Sequence, residues 1–388
     1  THQASLCSIG QRVPLFVKSL AIFKLDQSHL TCALHYYLRQ APFVGENPAG
    51  VLWICNVNVG ASSLGALATN GAEVSLIHSF ELSDSHVTCL ESVGSTLWIG
   101  LRQGRIIVID ANSPSVWVQF ASLDVQSEVT CIKYFGHFVY VGLVTGIVAV
   151  FDAINFDKPY LIQLSQLPVT CLLPINDEVF ACSHNKIWRI KETNIVDSLL
   201  VQNDHIIPLD EEPRPNLLAH CGSGLWVSLV DSPIVKLYHA ETLKHLQDIN
   251  VGMSIRRVLN DFKDEIKVSV TSMIATRGLL WIGTNVGMIA TLTLPRLQGV
   301  PLVSGSINVA LHRFLGPVNI MLNLSAGSEC IPQLPFDNNN KQHQMRANHL
   351  VKNEDAEAIY GQYADLMNVG DYITSSRKSG GLSDTPAT

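Results

Sequence analysis

Thr88, Thr130, Thr170 and Thr271 each follow a Val and precede a Cys or Ser, so one hydroxyl recurs at one place along the chain. A hydroxyl becomes a nucleophile only beside a base, and glycoside-type hydrolysis needs two facing carboxylates. No acid shares that recurring position, so paired-carboxylate chemistry lacks its residues. The acids that do recur, Asp110 and Asp152, close strands ending in Ile109 and Phe151, which reads as hairpin anchoring. Asp210-Glu211-Glu212 and the acids from Asp261 to Glu265 fall in long connections and read as solvated charge. Cys182 with His184, and His220 with Cys221, are ligand types for a soft metal. Zinc asks for four convergent ligands, and no second pair is spaced to complete either set. No segment ends in Gly-Lys-Ser or Gly-Lys-Thr, so a nucleotide phosphate has no cradle. Gly283 and Gly287 repeat the spacing of Gly100 with Gly104 and of Gly142 with Gly146, the pattern of hairpin turns. The expectation is a chain with no catalytic, cofactor-binding or metal-binding residues.

The elements around those threonines repeat. A Val-Thr-Cys-like start is followed, about nine positions later, by a Leu-Trp-Ile-Gly-like strand: Cys89 leads to Trp98, Cys131 to Tyr140, Cys171 to Phe180, Leu217 to Trp226 and Ser272 to Trp281. Cys32 and Trp53 make a sixth unit, with a longer hairpin carrying Pro42, Gly45 and Pro48. A period of roughly 40–55 residues built from short β-branched and aromatic runs is the mark of a β-propeller, whose blades bury their faces only against each other. In the clearest unit the four strands are read at His86–Leu90, Thr96–Gly100, Gly104–Asp110 and Val116–Phe120. The six aromatics Trp53, Trp98, Tyr140, Phe180, Trp226 and Trp281 share one blade position and read as core. Gly316–Met321 resembles the inner strand of a seventh blade, for which Leu15–Phe23 would supply an outer strand and close the ring. Beyond residue 326 the composition turns to Asn, Gln, Ser and charge, which predicts a disordered tail with a short amphipathic helix at 353–368.

Bulk composition narrows the partners. The chain has 388 residues, 47% apolar and 15% charged, enough to bury a large core. A net charge of −7 argues against nucleic acid as partner, because phosphate contacts want a basic surface. No apolar run approaches the length of a membrane helix. Of nine cysteines, Cys32, Cys89, Cys131 and Cys171 recur on separate units, too far apart to bridge one another. They read as free thiols in a reducing, cytoplasmic compartment, and the sequon at Asn323–Ser325 as a chance match. Because the chain starts at Thr1 rather than Met, it reads as part of a longer protein.

Three segments carry a specific resemblance: Pro233–Ile249 (PIVKLYHAETLKHLQDI), Val270–Thr284 with its Leu-Trp-Ile-Gly-Thr end, and Leu294–Pro301 (LPRLQGVP). Together they resemble the C-terminal WD40-like propeller of the Rho guanine nucleotide exchange factor 10 family, with a looser match over residues 12–324. The JNK-interacting scaffold proteins share a similar Leu-Tyr-His and His-Leu-Gln-Asp stretch. The resemblance implies a parent protein whose Dbl-homology domain ejects GDP from Rho GTPases beside a pleckstrin-homology domain. Neither domain is read in these 388 residues, so this chain alone should not catalyse exchange. Family members return after a tail insertion with a final strand pair, and no such return is read here.

The combined expectation is an all-β, seven-bladed WD40-like propeller over residues 1–325, its last blade incomplete or closed by the N-terminal strand. A disordered tail follows over 326–388. The function expected is a non-catalytic protein-interaction or autoregulatory module of a Rho exchange factor, with a JNK-pathway or motor-adaptor scaffold as the alternative. Partners, including the parent's own Dbl-homology and pleckstrin-homology region, would meet the rim loops at 36–49, 191–216 and 253–267.

Overall fold

The computed structural model describes residues 29–37, 50–58, 61–70, 73–156, 158–191, 207–208, 214–260, 266–276, 278–294, 303, 307–310 and 313–323. The chain divides into two units, Thr1–Ala326 and Gly327–Thr388, and all described residues belong to the first. The expected N-terminal strand at 15–23, the tail and its helix at 353–368 lie outside the described residues.

Six four-stranded antiparallel meanders follow one another. The first consists of β1 (His29–Tyr37), β2 (Gly50–Asn58), β3 (Ala61–Asn70) and β4 (Glu73–Ser83), and the second of β5 (Val87–Val93), β6 (Thr96–Leu101), β7 (Arg105–Asp110) and β8 (Gln119–Asp124). The third holds β9 (Val129–Phe135), β10 (Phe138–Leu143), β11 (Ile147–Asp152) and β12 (Tyr160–Gln163), and the fourth β13 (Val169–Ile175), β14 (Glu178–Ser183), β15 (Lys186–Lys191) and β16 (Ile207–Pro208). The fifth has β17 (Pro215–Cys221), β18 (Gly224–Leu229), β19 (Ile234–His239) and β20 (His245–Asn250). After a helix, α1 (Val251–Leu259), the sixth has β21 (Val270–Thr276), β22 (Leu279–Thr284), β23 (Ile289–Thr293) and β24 (Asn308–Val309).

The recurring Val-Thr-Cys start is a β-bulge. In all six sheets the ladder between first and second strands shifts register at this point, as between Val87 and Cys89 or between Val169 and Cys171. A bulge re-aims the side chain of its extra residue, and here that residue is the threonine. Thr88 Oγ1 donates to the Val129 carbonyl of the next sheet at 2.6 Å, Thr130 to Val169 at 2.5 Å and Thr170 to Pro215 at 3.5 Å. The first strands of the second to fifth sheets are thereby tied in series, while the first sheet meets the second through the Val87 N–H donating to Ser62 Oγ at 3.1 Å. The fifth sheet has no threonine there, and the link to the sixth runs instead from the Val270 N–H to the Ser232 carbonyl at 3.1 Å.

Gly100 and Gly142, read from sequence as turn residues, lie inside strands. They face Cys89 and Cys131 across the ladder, and a Cβ on either would stand 2.6 Å from that sulfur and under 3 Å from Val129 or Val169 of the next sheet. Their partners Gly104 and Gly146 are the true hairpin glycines, with φ of 81° and 78°. The aromatic position is core in five sheets: Trp53, Trp98, Tyr140, Phe180 and Trp226 are all at most 2% exposed. Trp98 reaches across to Phe151 and Phe156 of the third sheet. Trp281 is only half-buried, and no strand among the described residues follows its sheet.

Two local expectations are corrected. The outer strand of the second sheet runs over Gln119–Asp124, not Val116–Phe120, and Val116 and Phe120 are exposed. An outer edge strand buries little, so its apolar residues mark no register. The connection at 253–267 begins as α1, capped by the Asn250 side chain accepting from the Gly252 N–H at 3.0 Å and ended by Asn260 in the left-handed region. Asp110 and Asp152 anchor hairpins as expected, each accepting local backbone N–H groups at 2.8–3.0 Å.

Gly316–Met321 forms no ladder, yet it sits where an inner strand begins. The Thr271 hydroxyl donates to the Val318 carbonyl at 2.7 Å, and the Val318 N–H to the Thr284 carbonyl at 3.0 Å. Val318 packs over Gly283 as Val129 does over Gly100.

Alanine at Gly142 should destabilise the chain by about 1–3 kcal/mol through overpacking. Adding Cys131→Ala should recover part of that loss, and urea unfolding of the single and double variants gives the coupling. Additive effects would mean that sulfur and glycine do not share this space.

A candidate interaction site on the rim

The first-strand threonines that opened the sequence reading donate their hydroxyls to neighbouring carbonyls. Their cysteine neighbours are no more reactive. Burial pushes the Cys89 thiol up to about 12 and raises Cys131 and Cys171 as well. A thiol held protonated is a poor nucleophile and a poor metal ligand. Along the inner strands Lys133 Nζ meets Glu91 Oε2 at 2.7 Å, joining the third sheet to the second; Glu91 in turn, against the cost of burial, holds the ammonium above its ordinary range.

The two soft-ligand pairs come apart in space. Cys182 is fully buried on β14, while His184 sits at the exposed corner of the next hairpin with φ of 58°. His220 is half-buried, its Nε2 has no hydrogen-bond partner, and burial lowers its pKa, so the imidazole is neutral at pH 7. Among the described residues no group of three or more His, Cys, Asp or Glu side chains is placed to hold a metal ion.

A concave site does form on the rim where first strands begin. The cavity, about 600 Å³, lies between the fourth and fifth sheets and is lined by Leu167, Pro168, Thr170, Pro215 and Val230, with His184, Arg214 and Asp231. Its position follows from two hairpins. In the second and third sheets the turn between second and third strands carries a positive-φ glycine crossed closely by the backbone that leads to the next sheet, as Gly146 is by Ser165 and Leu167. In the fourth sheet that turn is cut to His184–Asn185, and in the fifth Asp231 holds the left-handed corner with φ of 51°. The Thr170 hydroxyl is turned to the Pro215 carbonyl, so the wall it presents is apolar. Arg214 and Asp231, both exposed, put opposite charges beside Val230, itself 39% exposed.

Apart from Thr170 of the Val-Thr-Cys start and His184 of the Cys182–His184 pair, the lining comes from short segments that carried no motif, and only Arg214-Pro215 fell within a loop singled out from the sequence. Of the other loops expected to bind, residues 38–49 and most of 192–213 lie outside the described residues. On the opposite rim, Glu178 on β14 bonds Arg189 and, at 2.8 Å, Lys191, both on β15. Burial works to raise the Glu178 pKa, and the hydrogen bonds from Arg189 and Lys191 outweigh it, leaving the carboxyl below its ordinary range.

Four-stranded meanders stacked side by side through their first strands, with function left to the rim, define a β-propeller. A family model described as the WD40 repeated domain matches residues 92–368, and the chain belongs to that family. It is also 32% identical over 173 residues, 44% of its length, to Rho guanine nucleotide exchange factor 10 of Mus musculus, and 34% identical over 167 residues, 43% of its length, to the Homo sapiens protein of that name. C-Jun-amino-terminal kinase-interacting protein 4 of Homo sapiens is 26% identical over 152 residues, 39% of the chain. The resemblance carried by the three quoted segments is thus borne out, with the kinase-interacting proteins the weaker match. The matched stretch spans 12% of each exchange factor and 11% of the kinase-interacting protein.

The Glu178 cluster makes a pH-dependent contribution. A depressed folded-state pKa adds stability above the unfolded value and loses it as pH falls through the folded one. Arg189→Met should therefore cost about 1–3 kcal/mol at pH 7, and the gap to the parent should narrow below about pH 4. Thermal unfolding at pH 7 and pH 3 checks both parts.

Proposed function

We propose that this chain is a non-catalytic protein-binding propeller, the interaction or autoregulatory module of a Rho guanine nucleotide exchange factor working in the cytoplasm. The observation that carries the reading is the rim cavity: an apolar floor of Leu167, Pro168, Pro215 and Val230 beside Arg214 and Asp231. Such a surface suits a short peptide with an aliphatic or proline side chain between polar flanks. The exchange-factor matches support the parent's class, and exchange itself would belong to the parent's Dbl-homology domain. The partner in an autoregulatory role is that parent's own Dbl-homology and pleckstrin-homology region, and in a recruitment role another protein of the Rho pathway. Seven blades are the count we favour, with Val318 opening the inner strand of the last and residues 15–23 contributing an outer strand that protects the edge. The tail beyond 326 would then be a separate, disordered segment.

Fluorescent GDP release from a Rho GTPase, driven by the parent exchange domain, tests the autoregulatory form. Adding this chain in trans should slow release several-fold, and a Val230→Asp variant should not. An unchanged rate with the unmodified chain would leave recruitment as the better reading.

A further inference from the structure

Across the ladder from the recurring thiol position, three sheets place a glycine: Gly100 opposite Cys89, Gly142 opposite Cys131, and Gly283 opposite Ser272. The glycine is there because a Cβ would strike the sulfur or oxygen it faces. Two sheets break this rule by placing a second cysteine at the crowded spot, Cys55 opposite Cys32 and Cys182 opposite Cys171. The two pairs differ. In the first sheet Thr31 Oγ1 reaches both Cys32 Sγ at 3.8 Å and the Cys55 carbonyl at 3.4 Å, and Cys55 Sγ points to the Asn56 carbonyl at 3.9 Å. Cys32 is half-buried on the innermost strand, and Cys55 lies fully buried beneath it. In the fourth sheet Cys171 points its hydrogen bond at the Leu172 carbonyl, and Cys182 is enclosed in the core.

We propose that Cys32 and Cys55 form a thiol-oxidation site, closed by hydroperoxides into a cross-strand disulfide that links β1 to β2. One sulfur of the pair, as thiolate, attacks the O–O bond of the hydroperoxide and takes a hydroxyl, releasing water or an alcohol. The other sulfur then displaces that hydroxyl, which leaves as water, and the S–S bond forms. Each sulfur gives up one electron, the hydroperoxide accepts two, and both thiol protons end in the products. The two cysteines stand directly opposite each other across the ladder, which sets one sulfur beside the other for the second step. The neighbouring Cys32, with help from Thr31 and Ser62, holds the Cys55 thiol below its ordinary range in spite of burial, while Cys55 and burial push Cys32 up. Cys171 and Cys182 are both pushed up by burial and serve as the internal comparison.

The test is limited oxidation of the folded full chain with hydrogen peroxide, followed by alkylation under denaturing conditions and non-reducing peptide mass mapping. The expected result is loss of two of the nine alkylatable thiols, recovery of a Cys32–Cys55 linked peptide and its reversal by dithiothreitol, with Cys171 and Cys182 still alkylatable. Cys55→Ser should abolish the linked peptide; Cys32→Ser, on the less buried side, is the second variant should the first fail to fold. A Cys171–Cys182 link formed at lower peroxide, or Cys32 and Cys55 remaining alkylatable while other cysteines are consumed, would overturn the assignment.

Discussion

A bulged threonine, in the second, third, fourth and sixth sheets, ties the inner edge of one sheet to the chain that follows it. Strands alone cannot fix how one meander sits beside the next, because every hydrogen bond of a ladder stays within its own sheet. The bulge between Val87 and Cys89, repeated in all six sheets, turns a side chain out of that ladder. The Thr88, Thr130 and Thr170 hydroxyls donate to a carbonyl of the following first strand and Thr271 to that of Val318, whereas Thr31 donates to Cys55 of its own sheet. The close approach this requires explains the facing glycines, since sulfur, glycine and the next sheet's valine share one small volume. Those threonine hydroxyls donate to backbone carbonyls rather than to a side-chain base.

Much of this was legible in the residues. A Val-Thr-Cys-like start followed about nine positions later by Leu-Trp-Ile-Gly marked the first two strands of five sheets, because the second strand is buried almost throughout and the first at spaced positions such as Val87 and Leu90. Outer strands were less legible. Phe120 and Tyr160 are aromatic yet exposed, so apolarity there says nothing of register. The helix at Val251–Leu259 had signals, an Asn cap, apolar residues at 251 and 255, and Arg256 and Arg257 in the last turn. They were masked by its length of only nine residues and by an early glycine. The dual role of Gly100 and Gly104 could not be separated by spacing, since one relieves a clash and the other a backbone angle.

The rim cavity was the least legible feature, for a physical reason. It arises where a regular turn is shortened, at His184–Asn185, and where Asp231 takes a left-handed corner that glycine holds elsewhere. Neither change introduces a motif; each removes one. The cavity is framed by short turns of a repeated scaffold and carries two exposed charged side chains, Arg214 and Asp231.

The central claim is that bulged threonines anchor the first strands of the third, fourth and fifth sheets, and that Val318 occupies the equivalent place after the sixth. Native-state hydrogen exchange at the Val318 amide, which donates to Thr284 at 3.0 Å, tests it most directly. The account predicts protection comparable to that of the Val270 amide, the link between the fifth and sixth sheets, and its loss in Thr271→Val. Exchange at the rate of an open coil in the unmodified chain would contradict it.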